Sequence, residues 1–319
     1  MKKIYSTIFL MFTFAIAYSQ IESSNSEIVL RRFQKLYNEN QFDQVYANFS
    51  DRAKASLSLK DTKNFLSQLQ AKFGTIKKMD FLTYEGNFNV YKTDLEKGVV
   101  SLFVSMDGEK IGGLYALPYD PNKFAETKRN ITPMHLPFKN EWTVFWGGDT
   151  REQNYHVVVK FQQNAFDLVI QENGKSYKTD GKTNEDYYCF GKEITAPCDA
   201  EVVYAVDGVK DNTPGELNKM FVLGNSILLK TKNNEYILLA HFKQNTIKVK
   251  QGEIVKKGKL LGLSGNSGNS SEPHLHFHIQ DAENFNIAVG MKAYFNNILV
   301  NGILQNDYSP VKGDHIKAE

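Results

Sequence analysis

Residues His274-Leu275-His276-Phe277-His278 set the tightest limit on what this chain can fold into. Successive side chains along a β-strand face opposite sides. Written as a strand, this run puts three imidazoles on one face and Leu275 and Phe277 on the other. The two apolar residues then belong to a core, and the three imidazoles share one space. A loop of small polar residues feeds the strand: Gly265-Asn266-Ser267-Gly268-Asn269-Ser270-Ser271-Glu272-Pro273. Three of the chain's seven histidines fall in these five positions. Neutral imidazole is a usual protein ligand for zinc and the usual proton carrier near pH 7. Three histidines on a solvated strand face are the plain alternative for an isolated HxHxH. The glycine-rich loop and further signals upstream weigh against it.

The first residues read as a secretory signal. Lys2 and Lys3 precede an apolar run from Ile8 to Ala17, and Ala17-Tyr18-Ser19 places small residues where a signal peptidase reads them. Cleavage is expected before Gln20. The run is too short, and wrongly flanked, for a good transmembrane helix. No cysteine lies near the cut, so lipid attachment is not expected there. The mature chain is expected to be exported, periplasmic or extracellular, with no integral membrane segment. Loss of the two lysines takes the formal charge from +2 to zero. A near-neutral chain has no large electrostatic grip on nucleic acid, so no nucleic-acid partner is expected.

Two domains are expected for a mature chain of about 300 residues. Val29, Phe33, Leu36 and Tyr37 recur at helical spacing, and Phe42, Val45, Tyr46 and Phe49 repeat the pattern in a shorter element. A third helix is expected from Asp61, a good N-cap, with Phe65, Leu66, Leu69 and Phe73 on one side and Gly74 as its stop. From Lys77 the pattern turns to strands. Val100, Leu102, Val104 and Met106 alternate, and Asp107-Gly108 makes a hairpin turn before Ile111. Helices followed by an antiparallel sheet make an α+β domain. The region contains no histidine or cysteine, and a binding or spacing role is its default reading.

A polar segment with Pro118, Pro121 and Pro133 reads as a linker. Beyond it come short strands at Val157–Val159, Ala165–Ile170, Glu201–Val206, Ser226–Lys230, Tyr236–Ala240 and Leu275–Ile279, the habit of a mainly-β domain. The expected division is a signal peptide at 1–19, an accessory domain at 20–120, a linker at 121–140 and a mainly-β domain at 141–319. Cys189 and Cys198, nine positions apart, could form a disulfide in an exported protein or remain buried thiols.

Two more residues stand beside the histidine strand. Asp167 is a lone carboxylate inside the apolar strand Ala165-Phe166-Asp167-Leu168-Val169-Ile170, and a buried Asp is costly unless paired or bound to a metal. His241 ends Tyr236-Ile237-Leu238-Leu239-Ala240-His241 and is either a satisfied core histidine or part of a site.

Gly265-Asn266-Ser267-Gly268 with Pro273-His274-Leu275-His276-Phe277, the upstream Ala240-His241 and Phe190-Gly191…Ala196-Pro197 resemble the lysostaphin-type, or LytM-like, zinc metalloendopeptidases that cut peptide bridges of bacterial peptidoglycan. The resemblance covers roughly residues 140 to 285. It implies Zn2+ as cofactor, peptidoglycan peptides as partner, His276 and Asp167 as metal ligands, and His274 and His241 as catalytic residues. It also exposes a departure. The family normally places a histidine ligand four residues before the aspartate, and Gln163 stands there. His156, eleven residues before Asp167, is the leading replacement, with Gln163 itself, His278 or no third ligand as the alternatives. In the last case the domain would be a catalytically degenerate module that binds or regulates. No HExxH motif is present, which excludes the thermolysin-like arrangement. The helical region, with Leu36-Tyr37-Asn38 and Lys110-Ile111-Gly112-Gly113-Leu114, resembles cone-shaped domains of the nuclear-transport-factor-two-like superfamily.

Overall fold

The computed structural model describes residues 20–124 and 128–319, and the expected signal peptide lies outside these residues. Four helices come first: α1 (Ser24–Asn38), α2 (Phe42–Ala47), α3 (Asp51–Ser56) and α4 (Leu59–Phe73). Four strands follow: β1 (Ile76–Glu85), β2 (Phe88–Leu95), β3 (Gly98–Asp107) and β4 (Lys110–Pro118). They pair antiparallel in chain order. This is the α+β layout expected from the patterning. Val29, Leu30, Phe33, Leu36 and Tyr37 of α1 share one core with Val100, Leu102 and Val104 of β3. Helix α4 begins before Asp61. Ser58 is its N-cap, accepting from the Asp61 amide at 3.1 Å and donating to the Asp61 carboxylate at 2.6 Å. Asp61 thus sits in the first turn, where a negative charge suits the helix dipole.

The remainder is mainly β. Its strands are β5 (Trp142–Trp146), β6 (Phe166–Val169), β7 (Glu193–Thr195), β8 (Ala200–Val206), β9 (Asn225–Lys230), β10 (Tyr236–Phe242), β11 (Ile254–Val255), β12 (Leu260–Leu263), β13 (Leu275–Gln280), β14 (Gly290–Met291), β15 (Ile298–Val300), β16 (Ile303–Gln305) and β17 (His315–Ala318). Ten of them form one sheet in the order β11-β8-β9-β10-β13-β6-β5-β17-β15-β16, with β14 pairing β13 at its side, and β12 and β7 make a separate ribbon. The histidine strand β13 is therefore central, flanked by β10 and β6. Leu275, Phe277 and Ile279 enter the main core with Phe166, Leu168, Ile237 and Leu239. Burying such side chains contributes roughly 1.5–3 kcal/mol each. That fixes the register, because a slip of one residue would put His276 into the core and Phe277 into the site.

Two local expectations are corrected, and the alternative left open for the cysteines resolves to free thiols. The stretch 157–159 is not a strand: Tyr155–Val158 and Lys160–Gln162 form two 3-10 turns. The side chain of Asn154 caps the first turn by accepting from the His156 amide, which turns a valine-rich run into a bend. The segment read as a linker is packed in its second half, where Met134, Leu136 and Phe138 enter the core of the β region. Cys189 and Cys198 are free, buried thiols, and burial pushes the pKa of each up to about 12. Such thiols are inert at neutral pH.

Gln20, 4% exposed, ties the α+β region to the turn that carries His156. Its carbonyl accepts from the Tyr84 amide and the Thr83 hydroxyl, both at 2.8 Å, while its amide group donates to Val157 O at 3.2 Å. Arg151 reinforces the contact by donating to Gly86 O at 2.9 Å and stacking over the Tyr84 ring. Among the described residues no helix is long and apolar enough to cross a membrane.

Candidate metal centre

Sheet register builds the centre. Ala240 on β10, His276 on β13, Asp167 on β6 and Trp146 on β5 are successive cross-strand partners. His276 Nδ1 lies 2.9 Å from Asp167 Oδ1. From the turn below, His156 brings its Nε2 to 3.5 Å from Asp167 Oδ2. One ligand atom from each of His156, Asp167 and His276 lies within 4.8 Å of the others, and all three residues are buried. Two imidazoles and a carboxylate are donors that zinc accepts in three-ligand sites with an open fourth position. The donor set fits the metal.

The second pair of histidines stands beside this group. His274 Nε2 is 3.6 Å from Asp167 Oδ1, and the His241 ring lies 4.7 Å from the His274 ring and 5.9 Å from that of His276. His241 has φ +66°, and among the described residues the other non-glycine positions of positive φ are all Asn or Asp. The β9–β10 register shifts between Ala240 and Phe242, so His241 is the extra residue of a bulge. Bulges re-aim a side chain, and a left-handed histidine is a strained conformation that the surroundings must hold. Here the holding contacts are His241 Nδ1 to Ser267 O at 2.7 Å and Gly265 N to His241 O at 3.0 Å. His274 Nδ1 is held in the same manner by Glu272 O at 2.8 Å.

Burial sets the electrostatics. Desolvation holds His156 down to about 3, and holds His241 and His278 well below the ordinary imidazole value, so these three are neutral at pH 7. Burial alone would raise Asp167. The imidazoles of His156 and His274 and the hydrogen bond to His276 outweigh it, and the carboxylate stays ionised.

The other sequence candidates fall elsewhere. Gln163 turns away from the carboxylate: its amide donates to Gly290 O at 3.1 Å and its carbonyl accepts from Gln20 at 3.4 Å. His278 lies behind His276, its Nδ1 2.9 Å from His276 Nε2, rather than beside Asp167. Tyr155 was not singled out in the sequence. Its hydroxyl donates to Asp167 Oδ2 at 3.2 Å and its ring packs on His156 at 3.9 Å. No motif marks it, and only its neighbour His156 could have drawn attention there. A cleft of about 250 Å3 opens over the centre, walled on one side by Phe145, Trp146 and Tyr155 and on the other by Leu217 and residues 269–272.

A mainly-β sheet with two imidazoles and a carboxylate on one face, two further histidines beside them and an open cleft above is a framework that can hold a divalent metal within reach of a ligand. The segment of residues 185–287 matches Peptidase family M23. It carries His241, His274 and His276 but stops short of His156, Gln163 and Asp167. Residues 31–114 match a second family, described as Protein of unknown function (DUF3887). No curated protein matches the chain. Among solved structures it is similar to a zinc-containing peptidase from Vibrio cholerae, at 18% identity and TM-score 0.25, covering 60% of this chain and 46% of that one. A putative glycyl-glycine endopeptidase lytM from Ruminococcus gnavus gives 18% identity and TM-score 0.25, over 40% of this chain and 42% of the other. A chain of the SpoIIQ–SpoIIIAH pore-forming complex gives 22% and 0.26, over 40% of this chain and 59% of that one. The chain thus spans about half the length of these structures or less than two thirds of it.

Proposed function

We propose that the exported chain is a zinc metalloendopeptidase that hydrolyses peptide cross-links or stem peptides of bacterial peptidoglycan. The convergence of His156, Asp167 and His276 on one point of the sheet face carries this reading. These three would hold the metal, which when bound supplies Lewis acidity and lowers the pKa of a water towards neutrality. The chain's own residues supply the rest. With Nδ1 of His241 and of His274 each donating to a backbone carbonyl, both Nε2 atoms are left as acceptors beside the centre. Neutral at pH 7, His241 takes a proton from the attacking water. His274 Nε2, the other acceptor, orients the same water, and the proton taken up by His241 then passes to the leaving amine. Tyr155 holds one carboxylate oxygen of Asp167, which orients the acid toward the two ligand imidazoles. The cleft between the aromatic wall and residues 269–272 accepts an extended peptide.

A catalytically silent binding or regulatory module is the second reading, favoured by Gln163 at the position where the family's histidine ligand is normally found. Digestion of purified sacculi tests the choice, with released muropeptides read by mass spectrometry. Release that a chelator abolishes and added zinc restores supports the peptidase. Sacculi that bind the zinc-treated chain intact, with no new amino termini, would establish the silent module instead.

A further inference from the structure

His278 and Asn154 touch neither the carboxylate nor the cleft, yet each contacts the rear nitrogen of a ligand imidazole. The proton positions follow from donors that have no choice. The Gln280 amide group faces two carbonyls, Ala282 O at 2.6 Å and Glu283 O at 3.3 Å, so its nitrogen must sit there and its oxygen must face the other way. That oxygen lies 2.9 Å from His278 Nε2 and only accepts, which places the His278 proton on Nε2. His278 is fully buried, and its Nδ1 lies 2.9 Å from His276 Nε2, so the rear nitrogen of His276 is taken up by this contact. His276 Nδ1 is then the nitrogen left to face the carboxylate oxygen of Asp167, at 2.9 Å.

The second imidazole is locked the same way. The Asn154 amide group donates to Gly148 O at 3.2 Å and Ala165 O at 2.9 Å, which turns its oxygen onto His156 Nδ1 at 2.8 Å. His156 is left with Nε2 toward Asp167, at 3.5 Å. Both ligand imidazoles thus engage an outer side chain with one nitrogen and turn the other to the same carboxylate.

We propose that Asn154 and the His278–Gln280 pair are positioning residues that fix the tautomers of His156 and His276 so that His156 Nε2 and His276 Nδ1 converge on a divalent cation beside Asp167. This rests on the metallopeptidase reading and extends it to a relay of side chains outside the ligand set. Outer partners of ligand histidines orient the ring and raise its basicity, and their loss typically weakens metal binding 10–100-fold.

The test combines imidazole 15N–1H correlation spectra of the full exported chain with zinc affinity measured against a chromophoric chelator. In the metal-free wild type the proton is expected on Nδ1 of His156 and on Nε2 of both His276 and His278. His278→Leu is expected to weaken zinc binding about 10–100-fold, and His278→Asn, whose amide oxygen can again accept from His276, to restore most of it. The spectra of the wild type need no variant, so a misfolded substitution does not blunt the test. A zinc-binding wild type whose His278 carries its proton on Nδ1, or a folded His278→Leu with unchanged affinity, would overturn the relay alone. A wild type with the expected tautomers that takes up no zinc would overturn the metallopeptidase reading itself.

Discussion

His276 and Asp167 are register partners on adjacent strands, and their Nδ1 and Oδ1 atoms lie 2.9 Å apart. The pair is a product of sheet pairing, so its geometry is as rigid as the sheet. Every other member of the centre is brought to it: His156 by a turn, His241 by a bulge and His274 by the loop that enters β13. Asp167→Ala is expected to abolish zinc uptake outright. A soluble, folded Asp167→Ala that retains stoichiometric zinc would show that the ion sits elsewhere.

His241 and His274 are assigned to proton handling rather than ligation. His241→Ala and His274→Ala should each lower kcat by about 10²–10⁴, the usual contribution of a positioned acid or base, while zinc content stays at the wild-type level. Loss of zinc from either variant would move that histidine into the ligand set.

Acid should destabilise the metal-free protein well above the carboxylate range. His156 is held at about 3, and His241 and His278 also lie well below their ordinary 6.5. Between those values the unfolded chain binds more protons than the folded one, so stability falls as pH drops from 6.5 toward 3. Asp167 has the same sign, but its contribution fades only below its unfolded value of 3.8, so it is unchanged between pH 7 and 5. At pH 5 each buried neutral histidine costs on the order of 2 kcal/mol relative to pH 7. The urea midpoint of zinc-free protein should drop clearly from pH 7 to pH 5, and an unchanged midpoint would contradict the neutral assignment.

Gln20 makes the turn around His156 depend on the α+β region. Gln20→Ala removes hydrogen bonds to Tyr84, Thr83 and Val157 and leaves buried polar groups unsatisfied, at a cost of about 1–3 kcal/mol. Amide exchange should accelerate in residues 150–163 more than in β13. Uniform acceleration across both would show that the contact does not act on the turn locally.

The β13 strand was legible because its alternation is short-range: Leu275 and Phe277 have to be buried, and the imidazoles then share the other face. Asp167 was legible for the same reason, as a charge in an apolar strand. The bend at 155–162 was not, because Val157-Val158-Val159 has strand propensity and the Asn154 cap overrides it. Asn154, Tyr155 and Gln280 escaped notice because amides and phenols carry no spacing signature, and their partners are backbone carbonyls and an acid twelve residues along the chain. The packing of Met134, Leu136 and Phe138 was hidden by the prolines around them. The bulge at His241 leaves no mark in sequence beyond a histidine at the end of an apolar strand.

The role of His156 in place of the histidine that Gln163 displaces is the central claim. Zinc per chain, measured on metal-saturated and desalted wild type, His156→Ala and Gln163→Ala, tests it most directly. One zinc in the wild type and in Gln163→Ala, with none retained by His156→Ala, is the expected pattern. Zinc retained by His156→Ala but lost from Gln163→Ala would contradict it.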